Sequence, residues 1–420
     1  MRESRETRDP EERGDKPRSL HALIALTHHD FRLFWIGQFV STTGSQMRQA
    51  AVAWQIYVLT HSPVALGALG LVRAAPILLF SIFGGVVADT LDRRKLLLVT
   101  QVVLVGVSCL LAAVTFRGSP SIWALYGLVA LGMTAVSFDQ PARQAMTPSL
   151  VPKDHLTNAL ALNSTTFQLS LVLGPSVAGV IIAVWGVGAV YVVDAISYLA
   201  VILALLVIHP PPIIGAIQKV TLAAAVEGLQ FVWREPILRS TMLLDFIATF
   251  FGSATALLPI FARDILHVGA QGYGILYAAP AAGAIVASII MSFVALRIKH
   301  QGRVILISVA AYSAFTILFG FSRVFLLSIL FLGAVGASDT VSMILRQTVR
   351  QFVTPNALRG RMTSVSMIFF MGGPQLGEVE AGLVARAFGA PLSVVTGGIA
   401  AVVATVLVAW KATTLRRYTP

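Results

Sequence analysis

The sequence predicts an all-α polytopic membrane protein, with twelve transmembrane helices in two six-helix pseudo-repeats. Three observations carry that expectation. Of 420 residues, 56% are hydrophobic and only 12% charged, where soluble domains carry about 25% charged residues, and the mean hydropathy is +0.80. Apolar stretches of about 20 residues, the length that crosses a bilayer, recur along the whole chain. Short strings also recur between the two halves: Gly70-Leu71-Val72-Arg73-Ala74-Ala75-Pro76 matches Gly274-Ile275-Leu276-Tyr277-Ala278-Ala279-Pro280, Leu131-Gly132 matches Leu332-Gly333, Arg143-Gln144 matches Arg346-Gln347, and Gly174-Pro175 matches Gly373-Pro374. Offsets between about 199 and 204, in the same order, mark a duplicated unit. Two parallel six-span repeats are an architecture of alternating-access carriers, with the substrate near midplane between them.

In chain order, residues 1–30 read as a disordered cytoplasmic tail, in which Arg2, Arg5, Arg8, Arg13, Lys16 and Arg18 nearly cancel Glu3, Glu6, Asp9, Glu11, Glu12 and Asp15. No apolar segment followed by a small-residue cleavage site comes before the first full-length span, so no signal peptide is expected. The first bundle, 31–208, takes spans at 33–58, 64–88, 96–116, 121–143, 156–184 and 188–208. A central loop, 209–236, opens on Pro210-Pro211-Pro212 and continues through Lys219, Glu227 and Arg234. The second bundle, 237–411, takes spans at 237–262, 271–296, 303–321, 324–346, 357–386 and 390–411, followed by a short tail, 412–420.

Loops on the side of the N-terminus hold Arg93, Arg94, Lys95, Arg143, Lys153, Lys219, Arg234, Arg239, Arg297, Lys299, Arg303, Arg346, Arg350, Arg359 and Arg361, and the opposite loops only Arg117, Arg263, Arg323 and Arg386. The positive-inside rule therefore places both termini and the central loop in the cytoplasm, and the plasma membrane is the location expected. On this assignment Arg48 and Arg73 are the two arginines left within the membrane. The net charge of +12 is spread over short loops and not gathered on one soluble face, so nucleic-acid binding is not expected. The single cysteine, Cys109, excludes a disulfide framework and a thiolate metal site. No G-x-x-x-x-G-K-[ST] loop is present, and the histidines fall in tails and loops without an H-E-x-x-H pattern. Neither an ATPase nor an enzyme of another kind is expected, and no cofactor.

The connection between spans two and three reads Gly84-Gly85-Val86-Val87-Ala88-Asp89-Thr90-Leu91-Asp92-Arg93-Arg94-Lys95. Gly85 admits close helix approach, Asp89 is an acceptor at the membrane edge, and Arg93 and Arg94 anchor in the interface. The stretch resembles the loop signature of the major facilitator superfamily. That resemblance implies a latch that locks the cytoplasmic side in one conformation, carried by Gly85, Asp89, Arg93 and Arg94. Thr90 and Asp92 depart from the usual pattern, which has a basic residue and a glycine there. Further stretches resemble the branch that contains enterobactin exporters and macrolide-efflux proteins: Met47 to Gly67, Phe138-Asp139-Gln140-Pro141-Ala142-Arg143-Gln144-Ala145 to Asn158-Ala159, and Thr354-Pro355-Asn356-Ala357-Leu358-Arg359-Gly360-Arg361. The run Ser170 to Gly179, with Gly174-Pro175, is similar to the glycine-proline motif of exporters in span five, suited to a helix that rocks against its neighbour.

Ionisable residues inside a membrane cost about 2.5–3.5 kcal/mol each at the centre, so each needs a partner or a role. Spans one, four, seven and ten line the cavity in the superfamily, and by that resemblance Arg48, Gln49, Gln55, Asp245 and Asp339 are expected at the substrate. Arg48 would meet an anionic or strongly polar group, or else pair with another helix. Arg73 and Glu378, on spans two and eleven, are expected to form an external gate. Asp194 reads as a structural cap, and Glu380 as a partner of Arg386. Proton coupling is ranked on Asp245, then Asp339, then Glu378.

The function expected is export of a small amphipathic molecule, siderophore-like or drug-like, by proton antiport. The resemblance implies a monomer, with the small-molecule substrate, the lipid bilayer and protons as partners. A nutrient importer of the same fold is the alternative, and a non-transporting sensor or scaffold a more distant one.

Overall fold

The computed structural model describes residues 23–118, 120–208, 230–355, 359–416 and 418. Among them lie twelve long helical segments: α1 (His29–Thr60), α2 (Pro63–Thr90), α3 (Arg93–Phe116), α4 (Ile122–Met146), α5 (Leu156–Trp185), α6 (Val187–Val207), α7 (Pro236–Phe251), α8 (Gly269–Val294), α9 (Gln301–Phe321), α10 (Phe325–Val353), α11 (Arg359–Phe388) and α12 (Ala390–Lys411). Ten segments are long and apolar enough to cross a membrane. α1 is not among them, because Gln38, Thr42, Ser45, Gln46, Arg48 and Gln49 make one side of it polar.

Local chemistry sets the helix ends. Ser62 caps α2 by accepting from Ala65 N at 3.3 Å, with Pro63 at the first helical position. Asp92 caps α3, accepting from Arg94 N at 2.9 Å. Gly186 alone joins α5 to α6 at φ +81°, and Gly389 alone joins α11 to α12 at φ +86°, a conformation that favours glycine. His61 and His267, both with positive φ, end the first segment of each half. These matched connections repeat the duplication seen in the sequence.

Two corrections concern the spans. Span seven, expected as 237–262, is interrupted: α7 stops at Phe251, and the chain continues through 3₁₀ turn Ala254–Leu257 and helical residues Leu258–Ile260 to the π-turn Phe261–Ile265. Gly252 and Ser253 break it because the Tyr312 hydroxyl donates to Gly252 O at 3.0 Å and Ser253 Oγ lies 3.2 Å from Pro374 O, holding the backbone off the helical path. Span ten does not stop at residue 346: α10 continues to Val353, carrying Arg346 and Arg350 within the helix.

In the first half α1 packs on α5 and α6, and α3 on α4 and α6; in the second, α8 packs on α10, α9 on α10 and α12, and α11 on α7. The halves meet chiefly where α5 crosses α8 and α2 crosses α11. Both crossings run on glycine. Gly179 faces Gly274 and Gly67 faces Gly382 with no side chain between the backbones, the close packing that small residues allow. Large side chains such as Leu79, Val99, Phe293 and Trp410 stay exposed on the periphery, where a bilayer would cover them.

Candidate transport site

Polar residues of α1 at positions 38, 42, 45 and 49 share one helix face by their spacing of three and four, and they line a cavity of about 650 Å³. α4 adds Gln140 and Gln144, and α5 adds Asn163, Thr166 and Phe167. The described lining all belongs to the first half and mixes carboxamides with apolar side chains such as Phe34, Met133, Leu160 and Phe167. The cavity extends toward the end at which α1 begins and α4 finishes.

Its charged residues are neutralised. Arg48 is buried, its Nε 2.8 Å from Asp194 Oδ2 on α6, and its Nη2 donates to the Tyr198 hydroxyl at 3.2 Å. Ser108 donates to the same carboxylate oxygen at 2.6 Å. Of the two expectations for Arg48, the helix-to-helix pair is the one this geometry matches; its side chain reaches the cavity wall with its charge already countered. Asp194 is no cap, since it lies two turns inside α6 and is fully buried. Gln49 lines the cavity, but Gln55 does not: it donates to Thr115 and accepts from Tyr191 on the far side of the bundle. Asp139, which the sequence did not single out, accepts from Thr100, Gln101 and Arg143 at once.

The second half holds a four-residue cluster. Arg346 Nη2 is 2.8 Å from Asp245 Oδ1 on α7 and 3.5 Å from Asp339 Oδ1 on its own helix, while Arg350 Nη2 is 3.5 Å from Asp245 Oδ2. Asp245 and Asp339 are thereby brought together through Arg346, with Arg350 on Asp245 alone, and both arginines were expected in a loop. Arg48 and Arg73 are therefore not the only arginines within the helices. The available signal was the recurrence of Arg143-Gln144 as Arg346-Gln347, which marks a repeated intrahelical position.

At the opposite end the halves close on each other. Arg73 Nη1 is 3.9 Å from Glu378 Oε1, and Arg73 Nη2 donates to Gln49 O at 3.2 Å. Tyr57 donates to Asp264 of the π-turn, Tyr273 donates to Ala50 O at 3.1 Å, and the rings of Trp54 and Tyr273 lie 5.2 Å apart. Tyr57, Asp264 and Tyr273 are contributors the sequence reading missed. Gly174 packs on α1 at Gln46 and Thr43, and the carbonyl of Pro175 meets Gly274. Glu380 and Arg386 form no ion pair among the described residues.

At the connection between α2 and α3, Arg93 donates to Ala145 O at 2.9 Å and Arg94 to Leu206 O at 2.8 Å. Both arginines thus hold carbonyls at the ends of α4 and α6, within the first half. Gly85 and Asp89 belong to α2, and their side-chain surroundings lie outside the described residues.

Residues 21–417 match the family described as transmembrane secretion effector. Over 353 residues the chain is 28% identical to the enterobactin exporter EntS of Citrobacter koseri, covering 82% of this chain and 83% of that one; the same figures hold for EntS of Escherichia coli O1:K1 / APEC. Among solved structures, a POT family transporter in complex with 5-aminolevulinic acid superposes with a TM-score of 0.74 at 12% identity, covering 92% of this chain and 96% of that one. A bacterial homologue of the lysosomal transporter Spinster, inward-facing and unoccupied, gives 0.70 at 17% identity, with 97% and 100% coverage. A bacterial homologue of ferroportin, also inward-facing, gives 0.67 at 15% identity, with 91% and 98% coverage.

Proposed function

Because the chain belongs to the transmembrane secretion effector family of major facilitator transporters, we propose that it exports a small amphipathic molecule by alternating access, in exchange for protons. One observation carries this: a cavity lined by carboxamides and apolar side chains opens toward one end of the bundle while the other end is closed by Arg73, Glu378, Tyr57 and Asp264. By the positive-inside rule the open end is cytoplasmic, so the conformation is the one in which an exporter loads. A volume of about 650 Å³ lies within the roughly 300–1,000 Å³ of small-molecule sites. With Arg48 matched by Asp194 and Arg143 by Asp139, recognition falls to neutral hydrogen-bonding groups and apolar contact. A siderophore-like or drug-like cargo rich in amides, esters and rings fits such a lining, and the kinship with enterobactin exporters supports export over uptake.

The test is accumulation of labelled siderophores and fluorescent drugs in cells expressing the wild type or Asn163→Trp, which fills the cavity, with and without a protonophore. Lower accumulation of one compound with the wild type, restored by the protonophore and by Asn163→Trp, is the expected result. Equal accumulation across the panel overturns export of these classes, and higher accumulation with the wild type reverses the direction.

A further inference from the structure

We propose that Asp339 is the proton-loading carboxylate of the second half, and that Arg346 is the residue through which its protonation is felt by α7. This assignment rests on the proposed proton-coupled export and names the site of coupling within it.

The argument begins from a difference between the repeats. Arg143 in the first half and Arg346 in the second occupy matching positions. Arg143 is held by a carboxylate on its own helix four residues earlier, Asp139, which also accepts from Thr100 at 2.8 Å and Gln101 at 2.7 Å and is almost wholly buried. That carboxylate is saturated with donors, although the pair borders the cavity. In the second half the residue four before Arg346 is Ser342, whose buried hydroxyl has no partner. Arg346 therefore has no carboxylate at that step. It reaches across to Asp245 at 2.8 Å and back two turns to Asp339 at 3.5 Å through one nitrogen, while its Nε and Nη1 have none. One guanidinium thus stands between two carboxylates, with unused donors for whichever is ionised.

The two carboxylates are not equivalent. The Asp245 side chain is 6% exposed and bonded to two arginines, whereas that of Asp339 is 40% exposed with one weaker contact. Removing the charge of Asp245 would leave Arg350 without its carboxylate and Arg346 with Asp339 alone at 3.5 Å, which is costly for two buried cations. Removing the charge of Asp339 leaves Arg346 on Asp245. Asp339 is also nine residues from the exposed Leu330, about half a turn around α10, so it faces away from the lipid side. The charged and titratable groups around it are Arg346 on α10, Asp245 on α7 and Tyr312 on α9, while Arg350 lies on the other side of Asp245. The titratable side chains of α8, Tyr273 and Tyr277, meet edge to face at the closed end. Proton uptake converts the Asp339 carboxylate to the acid and shifts Arg346 onto Asp245, drawing α10 toward α7; release to water reverses the step.

The measurement is pH-difference infrared spectroscopy of the purified full chain in nanodiscs, stepping between about pH 8 and about pH 5. The expected result is a protonated-carboxyl C=O band that grows on acidification, is lost in Asp339→Asn and persists in Asp245→Asn. The band should shift in frequency in Asp339→Glu, a readout that stands if Asp245→Asn does not fold. An unchanged band in Asp339→Asn, an unmoved band in Asp339→Glu, or no band in the wild type overturns the assignment. The spectra need no substrate, so they fail or succeed independently of the accumulation assay. Gradient-driven export with the band on Asp245 removes this assignment alone, while a band on Asp339 without export removes only the proposed function.

Discussion

Gly179 on α5 and Gly274 on α8 meet backbone to backbone: a Cβ on Gly274 would stand 3.0 Å from the Cα of Gly179 and closer still to the carbonyl of Pro175. Neither neighbour is a flexible side chain that could swing aside. Gly274→Ala should therefore disfavour this conformation by about 1–3 kcal/mol, the usual penalty for overpacking, a shift of about fivefold to 150-fold in its population. Spin-label distances across the closed end should lengthen in the variant, and an unchanged distribution would sink the prediction.

Breaking the Arg48–Asp194 pair from one side leaves a buried charge alone. Asp194→Leu should lower stability by about 3–5 kcal/mol, and the double change Arg48→Met with Asp194→Leu by much less. Denaturant unfolding of the purified protein in detergent measures both. Equal losses in the single and double variants would contradict the ion-pair account.

Two polar contacts help close the cavity's far end, and they should differ in weight. The Arg73–Glu378 pair is 3.9 Å apart, too long for a hydrogen bond, and Glu378→Gln keeps a polar partner beside Arg73, so this change should weaken closure the less. Tyr57 donates to the Asp264 carboxyl group, and Tyr57→Phe should cost about 1.5–3 kcal/mol. Labelling of a cysteine placed at Ala50 by an external thiol reagent should accelerate more in Tyr57→Phe than in Glu378→Gln; the reverse order would refute this ranking.

Asp92 satisfies the first amides of α3. Asp92→Ala should destabilise that end by about 0.5–2 kcal/mol, visible as faster amide exchange at Arg94 and Lys95 with little change elsewhere. Asp92→Asn should restore most of the protection.

The duplicated frame was legible because repetition survives in punctuation: glycines, prolines and short polar strings recur where the backbone needs them, and most span limits fall within a few residues of the helices observed. Pairing was less legible. Arg48 and Asp194 are 146 residues apart, and nothing in either neighbourhood names the other. Arg346 was placed in a loop because an apolar run was ended at the first arginine, although a cation that finds a carboxylate on a neighbouring helix can continue the span. The break at Gly252 went unread for the opposite reason, since Phe250-Phe251-Gly252 is as apolar as the helix around it and the cause of the break, Tyr312 with Pro374, lies far away in sequence.

That interruption gives segment seven two separate mechanical loyalties. Below Gly252 its helix is tethered to α10 through Asp245; above Ser253 its π-turn is tethered to α1 through Asp264 and Tyr57. A rigid rod would force both tethers to move as one. With a joint between them, the lower arm can swing with α10 while the upper arm still grips the first half, so the order in which the two ends let go becomes a property of two residues' backbone torsions.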